Sequence, residues 1–111
     1  MANIPREQIV LQNAVTAAAN GETLDITKDT TVVFVEISST STDANLNFEA
    51  RYTGTTWQSI NGVNLSDFSL GTTVSAVNGT YTVDVIGAVE FRARISDITT
   101  GAVTVTARAV G

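Results

Sequence analysis

Apolar and polar residues alternate one by one through most of the chain from residue 30 onward. In the segment VEFRARIS one face carries the apolar residues Val89, Phe91, Ala93 and Ile95. The opposite face carries the polar residues Glu90, Arg92, Arg94 and Ser96. A period of two is typical of a strand buried on one face only, so the segment predicts a β-strand of this kind.

The last segment, AVTVTARAV, repeats this alternation. Its predicted inner residues are Val103, Val105, Ala107 and Ala109, and its outer residues are Thr104, Thr106 and Arg108. Because only the turn DITTG separates the two segments, we expect them to form an antiparallel hairpin. That hairpin would place Arg92, Arg94 and Arg108 on one face of a sheet.

Several earlier segments also predict strands. GTYTVDVIG follows TTVSAV, and the two are expected to form a hairpin that turns at Asn78 and Gly79, because Asn-Gly is a strong hairpin signal. NLNFEARYTG and TWQSI predict a second pair of strands. TTVVFVEIS is apolar on both faces over most of its length, which indicates a strand near the middle of a sheet.

The N-terminal segment REQIVLQNAVTAAAN fits either a strand or a short helix. A strand is favoured, because the segment ETLDIT that follows has the pattern of a short edge strand and a helix would have no obvious partner. With about eight strands and no helix to connect parallel neighbours, the chain predicts an all-β fold. We expect one antiparallel two-sheet β-sandwich domain over residues 1–111.

Composition and charge restrict the partners and the location. The 111 residues include 11 acidic and 6 basic ones, and a net charge of −5 argues against a nucleic-acid partner, which requires a positive surface. No segment approaches the ~18 apolar residues of a membrane helix. The N-terminus also lacks the pattern of a secretory signal. We therefore expect a protein made in the cytoplasm, without membrane insertion.

Catalytic and metal chemistry has few candidate residues. The chain has no histidine or cysteine, which removes the usual general base, the thiolate nucleophile and most zinc sites. Glu36, Glu49 and Glu90 remain as candidates from which an acid–base pair could form, but outward carboxylates on strands are usually solvated or paired with arginine. The loop aspartates lack calcium-loop spacing and are interpreted as turn residues: Asp25, Asp29, Asp43, Asp67 and Asp97. We expect no catalysis, cofactor or metal.

Two aromatic residues each allow two interpretations. Trp57 is predicted to be a core residue, because large aromatic side chains dominate the cores of small domains. Its alternative is a stacking surface for a sugar, with Tyr52 as a second contact. Phe68 stands in the polar segment NLSDFSLG, where it either packs beneath the loop or contacts a neighbouring subunit.

The predicted arginine face also has two interpretations. Opposite charges across neighbouring strands predict ion pairs within one chain, and Glu49 and Arg51 on another strand are candidates to join them. Five of the six basic residues are arginine, whose planar guanidinium suits partly buried pairs and interfaces. We therefore also predict a subunit interface that contains Arg92, Arg94, Arg108, Glu90 and Phe68.

The order of several short motifs resembles a known family. The motifs are FEARYTGTTWQSING and, after it, GTYTVDVIGAVEFRARISDITTGAVTVTARAV, and together they run from residue 48 to residue 109. This order resembles the small β-sandwich module of tailed phages and prophages, and most of all the Bacillus prophage lytic-cassette proteins of the XepA and YomS group. The resemblance implies a jelly-roll or C2-like sandwich that assembles as a ring, with a pentamer as the first expectation.

Two functions are therefore predicted. The first is a non-enzymatic phage or prophage protein, structural or associated with a lysis cassette, that acts as a homo-oligomer. Such a protein would be made in the bacterial cytoplasm and would be virion-associated or released at lysis. The alternative is a small binding module that recognises cell-wall glycan or another phage protein through its loops, with Trp57 and Tyr52 as contacts.

Overall fold

The computed structural model describes residues 8–110, which form eleven β-strands and no helix. The strands are β1 (Ile9–Val15), β2 (Leu24–Asp25), β3 (Val32–Ser39), β4 (Asn45–Arg51), β5 (Trp57–Ser59), β6 (Gly62–Asn64), β7 (Leu70–Gly71), β8 (Thr73–Ser75), β9 (Gly79–Asp84), β10 (Glu90–Asp97) and β11 (Val103–Val110). They exceed the expected number of about eight because the short strands β6 and β7, of three and two residues, were not predicted.

The strands form two antiparallel sheets. The first sheet has the order β1-β11-β3-β9-β6-β7, and the second has the order β2-β10-β4-β5, with β8 paired to the first half of β4. Apolar side chains from both sheets meet in one core, which confirms the predicted all-β sandwich. The strand predicted near the N-terminus is confirmed as β1, and the predicted pair of β4 and β5 is confirmed as well.

The predicted hairpin of the two C-terminal strands is wrong. β10 pairs with β4 and β2 in the second sheet, whereas β11 pairs with β1 and β3 in the first. The segment between them therefore passes from one sheet to the other. The predicted inner faces of these strands are nevertheless correct, since Phe91 and Ile95 are buried on one side of the core and Val103 and Val105 on the other.

The predicted hairpin at Asn78 and Gly79 is wrong for the same reason. β8 pairs with β4 in the second sheet, while β9 lies between β3 and β6 in the first. Asn78 instead joins two elements through its side chain, whose Oδ1 accepts a hydrogen bond of 2.8 Å from the backbone N–H of Ser39. The segment around Asn78 thus connects the two sheets and does not turn back within one.

β3 lies inside the first sheet, between β11 and β9, as predicted. Its inner residues Val33, Val35 and Ile37 are buried. On its outer face Phe34 is half-buried and Glu36 is exposed. Only one face of this strand is therefore fully covered, although its apolar composition predicted burial on both.

Phe48 of β4 occupies the middle of the core. Its ring centroid lies 5.3 Å from that of Tyr81 and 6.5 Å from that of Phe91, so side chains of both sheets contact it. Gly62 of β6 passes directly over this ring, and a Cβ atom there would lie 2.4 Å from a ring carbon of Phe48. The close approach of β6 to the core therefore requires glycine at this position.

A buried glutamine fastens β1 to the second sheet. Gln12 is fully buried at an irregularity of β1, and its Nε2 donates hydrogen bonds to the backbone oxygens of Ala93 (2.8 Å) and Ala19 (3.0 Å). Gly21, with φ of +74°, packs against the same amide, and a Cβ atom there would lie 2.4 Å from Nε2. This arrangement closes one edge of the sandwich.

Candidate functional site

The outer face of the second sheet carries a ladder of ion pairs between β4 and β10. The strand register places Arg92 directly opposite Glu49 and Glu90 directly opposite Arg51. Residues in such cross-strand positions have their Cβ atoms about 5 Å apart, which lets opposite charges meet. The alternation of both strands and their antiparallel register together bring these side chains onto one surface.

Glu49 is the centre of this ladder and accepts hydrogen bonds from two arginines. Its Oε1 lies 2.8 Å from Nε of Arg92, and its Oε2 lies 3.1 Å from Nη2 of Arg94. Glu49 is only 8% exposed. Burial acts to raise the pKa of this carboxyl, but the hydrogen bonds from Arg94 and Arg92 outweigh burial and hold the pKa below its usual value. Glu49 is thus the charged anchor of both arginines.

A second pair lies beside the first. Nε and Nη2 of Arg51 donate hydrogen bonds of 2.8 and 2.5 Å to Oε1 of Glu90, and Nη1 donates to the backbone oxygen of Gly54. The hydrogen bonds from Arg51 lower the pKa of Glu90 below its usual range. Arg51 therefore holds both a neighbouring strand and the turn that leads into β5.

Trp57 belongs to this outer face and not to the core, so the prediction of a core tryptophan is wrong. The residue is half-buried on β5, at the edge of the second sheet, and the guanidinium carbon of Arg92 lies 4.2 Å from the centroid of its ring. This geometry is a cation–π contact. Arg92 therefore covers one face of the ring that a sugar would use, and Tyr52 is half-buried against the core.

Arg108 lies apart from the other predicted interface arginines. It is on β11, in the first sheet, where it stands opposite Phe34 with its guanidinium carbon 6.0 Å from the ring centroid. The outer faces of the two sheets point in opposite directions, so the expectation that Arg92, Arg94 and Arg108 share one face is wrong. The error follows from the predicted hairpin, which assumed that β10 and β11 are neighbours.

Phe68 lies at the tip of the β6–β7 connection and is 75% exposed. Its backbone has φ of +61°, which is unusual for a residue with a bulky side chain. The backbone N–H of Phe68 donates to the oxygen of Asn64, and Oδ1 of Asp67 accepts from the N–H of Ser69. The interpretation that Phe68 packs beneath its loop is therefore wrong, because the side chain projects into solvent.

The remaining carboxylates have structural partners or lie apart. Asp43 accepts hydrogen bonds from the backbone N–H groups of Thr99 and Thr100, which lower its pKa although burial opposes them. Asp67 accepts from Ser69 two residues on, which agrees with its interpretation as a turn residue. Asp25 and Asp97 instead lie at the ends of β2 and β10, so their prediction as loop residues is wrong. Within residues 8–110, no three carboxylates cluster in a way that would hold a metal ion.

The exposure of several apolar residues, among them Leu70, Ile86 and Val89, was not anticipated from the sequence. Leu70 on the edge strand β7 and Ile86 in the turn before β10 are each about two-thirds exposed. The signal for Ile86 was the run VIGAV, where apolar residues continue past the end of the alternation into a turn. Val89 in the same run was predicted to face the core, which is wrong, because it precedes β10 and is exposed.

The described part of the chain, residues 8–110, contains no helix with the length and apolar character needed to cross a membrane.

The molecule is thus a small antiparallel β-sandwich with a charged outer face and exposed apolar tips. The model of the XepA family matches residues 5–109, and the chain belongs to this family. A search of curated protein sequences found no match.

Two solved structures share the fold. The SPBc2 prophage-derived protein YomS has a TM-score of 0.89 and 24% identity, with 100% of this chain and 98% of YomS covered. The PBSX exported protein XepA has a TM-score of 0.91 and 20% identity over 96% of this chain. The chain spans only 38% of the XepA chain. YomS is named as a prophage-derived protein, and at these identities the two structures show a shared fold.

Proposed function

We propose that the protein is a non-enzymatic phage protein, structural or associated with a lysis cassette, that acts by assembling into a homo-oligomeric ring. Its membership of the XepA family supports the phage context. Because the motifs of residues 48–109 resemble those of ring-forming proteins, a pentamer is the first expectation for the ring. A cyclic ring uses a heterologous interface, in which one surface of each copy meets a different surface of the next.

The observation that carries this proposal is the position of Phe68. Hydrogen bonds donated to the backbone oxygen of Asn64 and to Oδ1 of Asp67 fix the turn around it, and the side chain is held in solvent although its backbone lies in a costly region. An exposed large aromatic side chain and a strained backbone both lower the stability of the isolated monomer. A rigid, preorganised aromatic residue is, in contrast, well suited to become the buried anchor of an interface.

The ion pairs between β4 and β10 change the role of Arg92 and Arg94 in the proposed subunit interface. Arg92 and Arg94 are held by Glu49 of their own chain, so they present an ordered surface and not two free charges. Arg94 keeps about a third of its side chain exposed and remains available for a further contact. With Glu90 they form a candidate contact on the second sheet, while Arg108 would serve a contact on the first.

The direct test is the mass of the assembly. Light scattering after size exclusion should give a closed multiple of the 11.6 kDa chain, with five copies as the expected number. The mass should stay constant over a wide range of protein concentration, since a closed ring has no free interfaces. A monomer at the highest attainable concentration would contradict the proposal.

Among residues 8–110, no contact favours the alternative of a glycan-binding module. Arg92 covers one face of Trp57, and Tyr52 packs against the core. A pull-down with purified cell wall distinguishes the two functions, because an assembly protein should stay in the supernatant. Retention that is lost in a Trp57→Ala variant with unchanged mass would support the binding module instead.

We further propose that the protein is made in the bacterial cytoplasm and is virion-associated or released at lysis. The name of the relative XepA calls that protein exported. Fractionation of an induced culture before and after lysis tests this proposal. The protein should remain with the cells until lysis and should then appear in the medium or with purified particles.

A further inference from the structure

Exposed large apolar side chains are concentrated at two places. Within residues 8–110 seven such side chains are exposed, and five of them belong to two groups. The first group, called here the Phe68 tip, consists of Leu65, Phe68 and Leu70. The second group, Ile86 and Val89, borders an open groove of about 420 Å³ between residues 26–31 and residues 86–89, called here the Ile86 groove.

The Phe68 tip is a firm protrusion. The backbone N–H of Leu65 donates to the oxygen of Thr80, and that of Asn64 donates to the oxygen of Ser69. These bonds tie the connection between β6 and β7 to β9 and close it on itself. The tip therefore presents its apolar side chains in one fixed arrangement, with the carboxylate of Asp67 beside them.

The Ile86 groove is firm as well. The backbone N–H of Ile26 donates to the oxygen of Val89, and the N–H of Ala88 donates to the oxygen of Val85. Ile86 and Val89 supply apolar side chains, and Lys28 is the charged residue that lines the groove. Lys28 takes part in none of the salt bridges formed within residues 8–110.

The tip and the groove lie at opposite ends of the sandwich. β6 pairs with β9 so that Asn64 stands opposite Tyr81, which directs the tip past the start of β9. The turn that carries Ile86 follows the other end of the same strand, Asp84. Six residues of a strand span about 20 Å. One copy therefore cannot place its own tip in its own groove, whereas two copies can.

We infer that the Phe68 tip of one copy inserts into the Ile86 groove of the next copy, with Asp67 facing Lys28. The apolar groups of both sites would become buried, and the two charges have opposite sign. Asp84, whose Oδ1 accepts from the N–H of Ile86, and Asp29 next to Lys28 flank the groove and limit how much charge attraction contributes. Each copy uses both ends, so the contact is heterologous and can close a ring.

This inference rests on the proposed self-assembly and names the contact that would carry it. Its test uses two variants of the full chain, each lacking one half of the contact. Phe68→Gly removes the aromatic ring and suits the positive φ, so this variant should fold at least as well as the wild type. Ile86→Asp places a charge in the exposed wall of the groove. Each variant alone should assemble at least about tenfold more weakly than the wild type.

The decisive measurement is an equimolar mixture of the two variants. Phe68→Gly keeps an intact groove and Ile86→Asp keeps an intact tip, so one productive contact can form between them and no second one. Light scattering should then show a heterodimer that grows no further. A contact between like surfaces, tip with tip or groove with groove, would give no such complementation, and the absence of the heterodimer would overturn the inference.

Two further variants complete the test. Val10→Ser, at an exposed apolar residue outside both groups, should keep the wild-type mass. Lys28→Glu should weaken assembly, and more so at low salt. If the wild type assembles and both tip and groove variants keep its mass, only the inferred contact is wrong. If the wild type is a monomer, the proposed function and the inference both fail. Circular dichroism confirms that each variant is folded; if Ile86→Asp is not, Val89→Ser replaces it.

Discussion

The outer faces of the two sheets carry arginines on strands with the same alternating pattern, yet the arginines have different surroundings. On the second sheet, Arg92 lies opposite Glu49 and forms a short ion pair with it. On the first sheet, Arg108 lies opposite Phe34 and is exposed. The carboxylate nearest in register on β3, Glu36, stands opposite Thr106 and Thr80.

The difference shows that the residue across the strand determines what an outward arginine does. On the second sheet the strand β4 supplies a carboxylate, and Glu49 becomes buried beneath two guanidinium groups. On the first sheet β3 supplies an aromatic ring at the corresponding position. The first arrangement orders a surface, whereas the second leaves a solvated cation.

The largest effect should come from the core that lies beneath both faces. Phe91 is fully buried on β10, directly before Arg92. We expect Phe91→Ala to lower the free energy of unfolding by roughly 3–5 kcal/mol, as measured by urea denaturation, because it empties a buried aromatic site. A loss below about 1 kcal/mol would mean that the faces of β10 are exchanged, and the ladder would then point inward.

The next largest effect should come from Glu49. Glu49→Gln removes the carboxylate charge that pairs with both Arg92 and Arg94. Because these guanidinium groups are only partly exposed, hydration replaces only part of the lost interaction energy. We expect the free energy of unfolding to fall by about 2–3 kcal/mol.

The matched control is Glu36→Gln on the first sheet. Glu36 has the same side chain, but it is exposed and faces threonines. The change should lie within about 0.5 kcal/mol of the wild type. If Glu36→Gln and Glu49→Gln lowered the free energy of unfolding equally, the outer faces of the two sheets would not differ in how they hold a carboxylate.

The alternation of residues predicted which side chains face the core, because the direction of a side chain follows from the local period of two. It predicted the pairing of β4 with β5, but not which strands the two C-terminal strands and β8 and β9 pair with. Pairing depends on long-range packing, and a short turn joins strands of opposite sheets as readily as strands of one sheet. The segments after Asp97 and around Asn78 are both of this kind, and both were interpreted as hairpin turns.

The candidate site was accordingly predicted in part. Glu90 and Arg92 share a strand, so their common face follows from the alternation alone. The ion pairs of Glu49 follow once β4 is placed beside β10. From the sequence, Glu49 was a candidate for ion pairs within one chain. Arg108 and Trp57 were misplaced, because their surroundings depend on strands far away in the sequence. No local pattern distinguishes an edge tryptophan beside an arginine from a core tryptophan.

The contribution of Glu49 should also depend on pH. Its pKa in the folded protein lies below the ordinary value of 4.5, so the folded state binds fewer protons than the unfolded state as the pH falls below that value. The stability gained from the carboxylate is therefore fully present above about 4.5 and is lost as the pH falls through the folded pKa. We expect the stability difference between the wild type and Glu49→Gln to be constant near neutral pH.

Below a pH of about 4.5 the same difference should shrink towards zero. Denaturation curves of both proteins between pH 7 and pH 3 measure it. Asp43, Asp67 and Glu90 also have lowered pKa values, but they are present in both proteins and cancel in the difference. A difference that grows on acidification would contradict the arrangement of Glu49 beneath its two arginines.

The smallest expected effect is a difference in coupling energy between the two arginine–aromatic contacts. Arg92 lies 4.2 Å from the centroid of Trp57, whereas Arg108 lies 6.0 Å from that of Phe34, at the limit of a cation–π contact. A double-mutant cycle with Arg92→Ala and Trp57→Ala should give a coupling energy of about 0.5–1 kcal/mol. The corresponding cycle for Arg108 and Phe34 should give a coupling energy near zero, since that guanidinium is farther from its ring and solvated. If the coupling energy of Arg108 with Phe34 equals that of Arg92 with Trp57, Arg108 is as ordered as Arg92. The presence of a carboxylate across the strand would then not explain the difference between the two outer faces.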